Sequence, residues 1–222
     1  MFAVFLPCVW GASAGEQSPC PPPEPGLEIF VSQGTDAQKL VWSGSKWNET
    51  QSRLPTFLHE PWPQNIQGGH APYEVEMEWK DGIRKSSRVL EYRGVRLIAP
   101  FATKPTSDGV MRAAAVEDQT DAFMPSRRLA IFHPTDFGAS TFFTLDGVVA
   151  SISWSPSGKY LAVIESTSHF SGILSAISGF FGHPIPRVTL KLAIFSQNGV
   201  EICHQTLKRD LVHGAAMVIW SK

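Results

Sequence analysis

An internal repeat is the feature that most constrains what this 222-residue chain can fold into. The tetrapeptide Leu-Ala-Ile-Phe occupies residues 129–132 and recurs at 192–195, and each copy is followed by a tryptophan, Trp154 and Trp220. The two offsets, 63 and 66 residues, are nearly equal. The segments between these markers have the short β-branched and aromatic runs of strands and no helical period. The repeat therefore predicts two copies of one β-sheet unit and an all-β fold.

The most informative part of the repeat is the pentapeptide Trp-Ser-Pro-Ser-Gly, residues 154–158, which is followed at once by the apolar run 160–164. Proline presets φ for a turn, and glycine accepts the left-handed backbone that a turn often requires. The tryptophan is large enough to fill space between neighbouring sheets. These residues predict two adjacent strands joined by a tight turn.

Residues 154–163, WSPSGKYLAV, resemble the W-S-P-D-G-x-x-L-A-F signature of TolB-type β-propeller repeats. The resemblance is best over residues 127–166 and weaker over 190–222. Ser157 stands where the family usually has Asp, which removes a carboxylate from the turn, although serine can cap the turn more weakly. The residues that carry the repeat are Trp154, Ser155, Pro156, Gly158 and Trp220.

Members of this family stack four-stranded, WD40-like blades around a central channel. At about 40–45 residues per blade, the resemblance implies a β-propeller-like fold of four to five blades. Carried over, residues 161–165, 192–195 and 201–207 are the second to fourth strands of one blade. The chain stops as a new unit starts, so the propeller is either truncated or closed by a last strand that completes a sheet begun by the N-terminal strands. A two-sheet β-sandwich is the alternative fold.

A hairpin is predicted over residues 73–92 from strict alternation of apolar and acidic residues in YEVEMEW. Lys-Asp-Gly at 80–82 fits a three-residue loop. That register places Glu78 opposite Arg84 and Glu74 opposite Arg88, so opposite charges face each other on the solvent side. Residues 48–72 are rich in Pro, Asn, Gln and Gly and are expected to form a long loop, whereas 109–118 fit either a strand or a short helix.

The N-terminal residues predict export. Residues 2–10 form an apolar run and Ala12-Ser13-Ala14 is a small-x-small triplet, so residues 1–14 are assigned to a signal peptide. Residues 15–26 form a proline-rich linker, and 27–222 form the β-propeller-like domain. The location is then periplasmic or secreted; a cytoplasmic protein is the alternative. Export would allow a disulfide between Cys20 and Cys203, with two free thiols as the other possibility.

An insertion at residues 169–186 separates the second and third strands of its blade. Its apolar residues follow helical spacing, which predicts a short amphipathic helix that binds another protein or packs on its own domain. Membrane contact is disfavoured because the apolar segment contains no Lys or Arg. The expected partner-binding residues are Phe170, Ile173, Leu174, Ile177, Phe180 and Phe181.

The sequence carries no motif of a catalytic, cofactor or metal site. The net charge of −1 gives no field that would favour nucleic acid. The seven histidines show no metal-ligand spacing. Glu60, Asp136 and Glu165 would form an acid pair only if the fold brought them together. No catalytic residue, cofactor or metal is therefore expected.

These observations predict an exported, non-catalytic β-propeller-like domain that acts as a protein–protein interaction scaffold. Two other functions stay open. One is the propeller part of a larger prolyl-peptidase-like hydrolase, whose catalytic domain is absent from this sequence. The other is a propeller that binds a small ligand or sugar through aromatic residues lining its channel. Fold resemblance alone does not choose among them, because propellers host enzymes and scaffolds alike.

Overall fold

Every regular element in the described residues is a β-strand, and none is a helix, so the all-β prediction is confirmed. The structure is a computed structural model. It describes residues 19–33, 36–53, 73–78, 84–92, 95–103, 111–117, 125–132, 140–169, 187–212 and 214–221.

The strands form three antiparallel sheets, one more than a two-sheet sandwich would have. The terminal sheet has the order β14-β1-β2-β3 and contains β1 (Leu27–Gln33), β2 (Asp36–Trp42), β3 (Trp47–Ser52) and β14 (Gly214–Trp220). The central sheet has the order β10-β11-β12-β13 and contains β10 (Val148–Trp154), β11 (Tyr160–His169), β12 (Arg187–Ser196) and β13 (Glu201–Val212). The six-stranded sheet runs in chain order through β4 (Tyr73–Glu78), β5 (Arg84–Tyr92), β6 (Val95–Thr103), β7 (Met111–Glu117), β8 (Pro125–Phe132) and β9 (Ser140–Thr144).

The terminal sheet joins the first and last strands of the chain. β1 pairs with β14 along its whole length, from Leu27 opposite Trp220 to Gln33 opposite Gly214. The prediction that the last strand completes a sheet begun by the N-terminal strands is therefore confirmed. This pairing covers one edge of β1, while β2 covers the other.

The central sheet is buried on both faces, which explains the apolar run that follows the turn. Along β11, Leu161 and Val163 pack in a core against the six-stranded sheet, whereas Ala162 and Ile164 pack in a second core against the terminal sheet. All four are fully buried. Side chains alternate between the faces of a strand, so a strand with cores on both sides needs apolar residues at successive positions. Full burial of each Leu, Ile or Val stabilises the fold by about 1.5–3 kcal/mol.

The turn after Trp154 has the geometry expected from its residues. The backbone N–H of Ser155 donates to the Tyr160 carbonyl at 2.8 Å, and the Gly158 N–H donates to the Ser155 carbonyl at 2.8 Å. Gly158 has a φ of 69°, in the left-handed region that glycine adopts without strain. The predicted second to fourth strands of this unit are β11, β12 and β13, in that order across the sheet.

The two repeat tryptophans occupy comparable positions. Trp154 is the last residue of β10, an edge strand of the central sheet. Trp220 is the last residue of β14, an edge strand of the terminal sheet. Each tryptophan is buried in one of the two cores between sheets. β10 contacts β14 on one side and β6, β7 and β8 on the other, so it lies between the other two sheets.

The predicted hairpin register is confirmed for the described strands: Glu78 lies opposite Arg84, Glu74 opposite Arg88 and Tyr73 opposite Val89. The loop at 80–82 lies outside the described residues. Residues 111–117, left open between strand and helix, form β7.

The long loop expected from residue 48 is wrong at its start, because residues 48–52 belong to β3. This strand lies at the edge of the terminal sheet, and most of its residues are exposed. A polar sequence is therefore compatible with a strand at this position. Residues 54–72 lie outside the described part of the chain.

Candidate functional site

The insertion leaves the central sheet from one end of the β11–β12 pair. The last residue of β11, His169, lies directly opposite the first residue of β12, Arg187. The imidazole Nε2 of His169 is 3.0 Å from Asp210 Oδ1, and the guanidinium of Arg187 donates to the Asp210 carbonyl at 3.0 Å. Asp210 has a φ of 57° at the far end of β13. These contacts tie three strands together where the insertion begins and ends. We call His169, Arg187 and Asp210 the insertion base.

Residues 170–186, between His169 and Arg187, lie outside the described part of the chain. The same holds for all of the predicted partner-binding residues, Phe170, Ile173, Leu174, Ile177, Phe180 and Phe181. The position predicted for the insertion, between the second and third strands of its sheet, is the position at which β11 ends and β12 begins.

A buried polar cluster lies on the same sheet. Glu165 continues the row of Leu161 and Val163 along β11, so it faces the six-stranded sheet, and it is only 1% exposed. Its Oε2 accepts a hydrogen bond from the Gly147 N–H at 3.0 Å. Its Oε1 lies 3.5 Å from His204 Nε2. The carboxylate therefore ties the residue before β10 to β11 and lies beside His204 of β13 without a hydrogen bond to it.

The pKa values of two carboxyl groups in this cluster, Glu165 and Asp146, are shifted in opposite directions. Burial raises the pKa of Glu165, although the Gly147 hydrogen bond and the nearby His204 act in the opposite direction. Lys191 donates to Asp146 Oδ2 at 2.7 Å, and this hydrogen bond lowers the pKa of the Asp146 carboxyl. The buried Glu165 carboxyl therefore keeps its proton to a higher pH than an ordinary glutamate, and the exposed Asp146 carboxyl loses its proton at a lower pH than an ordinary aspartate.

This cluster is better suited to stabilising the fold than to catalysis. A carboxyl beside an imidazole is a pair that acid–base catalysts use, although Glu165 Oε1 and His204 Nε2, 3.5 Å apart, make no hydrogen bond. Glu165, however, is closed to solvent, so a substrate could not reach it without opening the interface between the sheets. In the described residues, no group of three or more His, Cys, Asp or Glu side chains could hold a metal ion. Glu60 and Asp136, the other acids considered with Glu165, are not among the described residues.

A disulfide joins Cys20 to Cys203 on β13, with a Cα–Cα distance of 5.5 Å. Cys20 is completely buried, and its backbone N–H donates to Gln205 Oε1 at 2.8 Å. Residues 19–26, part of the predicted linker, are packed on the sheets at this point, and we call them the N-terminal strap. The strap also accepts a hydrogen bond from Trp220 Nε1 at the Pro25 carbonyl, at 2.9 Å.

The strap supplies the carboxylate that the turn at residues 155–158 lacks. Ser157 stands where the resembling family has Asp, and its hydroxyl donates to the carboxylate of Glu24. The Ser157 hydroxyl also accepts a hydrogen bond from the Lys159 N–H at 3.1 Å, so the serine caps the turn while Glu24 holds the serine. The turn thus receives a carboxylate from a residue that lies 133 residues earlier in the chain.

No protein-family model matches the chain, and no curated protein is significantly similar to it. Function is therefore inferred from the residues and their geometry. Across the described ranges, no helix is long and apolar enough to cross a membrane.

The sequence did not reveal the partner residues at either polar site. These partners are His204, Lys191 and Asp146 in the cluster around Glu165, and Asp210 at the insertion base. One signal was present: Glu165 directly extends the apolar run of a strand that is buried on both faces. A charged residue in such a run has to be neutralised or hydrogen-bonded. The identity of its partners depends on strand register, which the sequence of β13 does not reveal because that strand contains bulges.

Proposed function

We propose that this protein is an exported, non-catalytic β-propeller-like domain that binds another protein through the insertion at residues 169–186. The observation that carries the proposal is the insertion base. His169 and Arg187 face each other across β11 and β12, and both contact Asp210. The insertion therefore begins and ends at residues that hydrogen bonds tie to a third strand of the central sheet. A binding segment whose two ends are already held in place loses less entropy when it meets its partner.

The arrangement of the sheets supports a propeller-like description. β10 contacts β14, an edge strand of the terminal sheet, and β6, an inner strand of the six-stranded sheet. Neighbouring strands within each sheet run antiparallel. Cores fill the spaces on both sides of the central sheet. Pairing of β1 with β14 resembles the way in which a ring of blades closes with strands from both ends of a chain.

The disulfide supports export. Disulfides persist in oxidising compartments and are rare in the cytosol of most cells. Cys20 lies shortly after the predicted signal peptide, residues 1–14, so cleavage after Ala14 would leave the cysteine in the mature chain.

The test is a binding measurement with matched variants of the insertion. A partner is captured from the extracellular or periplasmic fraction, identified by mass spectrometry and purified, and its Kd for the full chain is measured. Ile173→Asp/Phe181→Asp should weaken binding by at least about tenfold, because it places two charges on the predicted apolar face. Ser171→Asp/Ser178→Asp adds the same charge to the same segment and should leave the Kd within about twofold.

Equal affinities for the two double variants would remove the insertion as the binding surface. Both variants are compared with the wild-type protein by circular dichroism and thermal unfolding. A change in Kd at unchanged Tm reports on binding rather than on folding.

A further inference from the structure

One of the three asparagines in the chain lies in a motif for N-linked glycosylation. Asn48-Glu49-Thr50 has the pattern Asn-x-Thr with x other than proline, which oligosaccharyltransferases accept in exported proteins. Asn65 is followed two positions later by Gln67, and Asn198 by Val200, so neither lies in such a motif. Only Asn48 combines the motif with a described, exposed position.

The structure places this motif on the open edge of the terminal sheet. β3 pairs with β2, and no other strand in the described residues pairs with its second edge. Asn48, Glu49 and Thr50 are all exposed. A glycan at this position would extend into solvent without displacing the core.

The two motif residues face away from the central sheet. Trp47 packs against the core between the terminal and central sheets, and Glu49 forms an ion pair with Lys208 of β13. Because side chains alternate along a strand, Asn48 and Thr50 lie on the opposite face. Val41, directly opposite Asn48 on β2, is 38% exposed on that face.

We propose that Asn48 is the acceptor of an N-linked glycan. The proposal rests on the export that is part of the proposed function, and not on the partner or the insertion. The donor is an oligosaccharide linked through pyrophosphate to a polyprenyl lipid. The side-chain amide nitrogen of Asn48 forms a bond to the anomeric carbon and loses a proton, while the anomeric C–O bond breaks and the lipid pyrophosphate leaves with the electron pair.

A glycan on Asn48 would protect the edge that β3 exposes. An unpaired edge strand is a template for pairing with another chain, and proteins commonly block such edges with charged or bulky groups. The glycan would also cover Val41, the exposed apolar residue beside it. The modification therefore has a structural consequence, which is less association of β3 with a second chain.

The experiment expresses the full chain in a eukaryotic secretory system in two forms, one with its own N-terminus and one preceded by a heterologous secretion signal. Intact mass is measured before and after peptide N-glycosidase, which converts a glycosylated Asn to Asp. Wild type and Thr50→Ser should carry a glycan, whereas Asn48→Gln and Thr50→Ala should not. Asn198→Gln, at an exposed asparagine outside any motif, should remain glycosylated like the wild type.

The two forms separate this inference from the export on which it rests. An unmodified wild-type protein in the form that carries the heterologous signal would overturn the glycan at Asn48. A glycan in that form alone would support Asn48 as the acceptor and contradict export by the native N-terminus. Loss of the glycan in Thr50→Ala with retention in Thr50→Ser would link the modification to the motif hydroxyl rather than to a folding defect.

Discussion

The hydroxyl of Ser151 accepts a hydrogen bond from the backbone N–H of Val218, 3.1 Å away, across the boundary between the central and terminal sheets. Ser153 accepts a matching hydrogen bond from the Trp220 N–H at 3.1 Å. β14 is an edge strand of the terminal sheet, so no strand among the described residues pairs with these N–H groups on that side. Two serine hydroxyls of β10 satisfy them instead, which sets the position of one sheet against the next.

Ser151→Ala should lower the free energy of unfolding by about 1–3 kcal/mol, because the buried Val218 N–H then loses its acceptor. Ser168→Ala is the matched control. Ser168 is exposed on β11, and its removal should change stability by no more than about 0.5 kcal/mol. Urea unfolding monitored by tryptophan fluorescence measures both variants. If Ser151→Ala were as stable as the control, the hydrogen bond would have no role in joining the sheets.

Glu165→Gln should stabilise the protein at neutral pH. Burial raises the pKa of Glu165 in the folded state, so the folded protein holds this proton more tightly than the unfolded chain does. Stability from this group is fully present below the unfolded pKa and is lost as pH rises through the folded pKa, by about 1.4 kcal/mol per pH unit within that window. Glutamine keeps an acceptor for the Gly147 N–H but does not ionise.

The measurement is Tm as a function of pH for wild type, Glu165→Gln and the exposed-site control Glu201→Gln. The gain of Glu165→Gln over wild type should be greatest at neutral pH and should shrink as the pH falls towards the ordinary glutamate pKa. Parallel pH curves for wild type and Glu165→Gln would contradict the raised pKa.

Removal of the disulfide should cost about 2–5 kcal/mol, the usual range for a native disulfide. Cys20 and Cys203 are 183 residues apart, so the bond restricts a long loop in the unfolded chain. It also holds the N-terminal strap against β13. Cys20→Ser/Cys203→Ser should therefore unfold at lower urea concentration, and a reducing agent should shift the wild type towards the variant without affecting the variant. A fully reduced wild type with unchanged stability would refute this.

Glu24 and Ser157 should show coupling that depends on charge. Ser157→Asp introduces an acid at this turn position and places a second carboxylate beside Glu24. We expect it to destabilise the wild type by about 0.5–1.5 kcal/mol and to have a smaller effect, or none, in the Glu24→Gln background. A double-mutant cycle from urea unfolding measures the coupling. Additive effects of the two substitutions would show that the strap does not act on the turn.

Local patterns in the sequence were enough to predict much of the fold. The hairpin register follows from glutamates and arginines that alternate with apolar residues, and the paired strands β4 and β5 have that register. The run at 160–164 predicts a strand, and burial on both faces explains why its apolar residues are consecutive instead of alternating.

Contacts between distant segments could not be read in the same way. Glu24 reaches Ser157 across 133 residues, and His204 reaches Glu165 only because β13 pairs with β12 through a bulged register. β3 was missed because an exposed edge strand needs few apolar residues, and only Trp47 of that strand packs against a core. Polar composition at 48–52 therefore resembled a loop.

The pairing of β1 with β14 has a consequence for biosynthesis. Residues 27–33 leave the ribosome long before residues 214–220, the strand they need as a neighbour, have been translated. β1 can therefore gain β14 as its neighbour only after residues 214–220 have been made, and closure of so long a loop is slow. Until then the apolar face of β1 has to be kept from misassembly, a requirement that export in an unfolded state would satisfy.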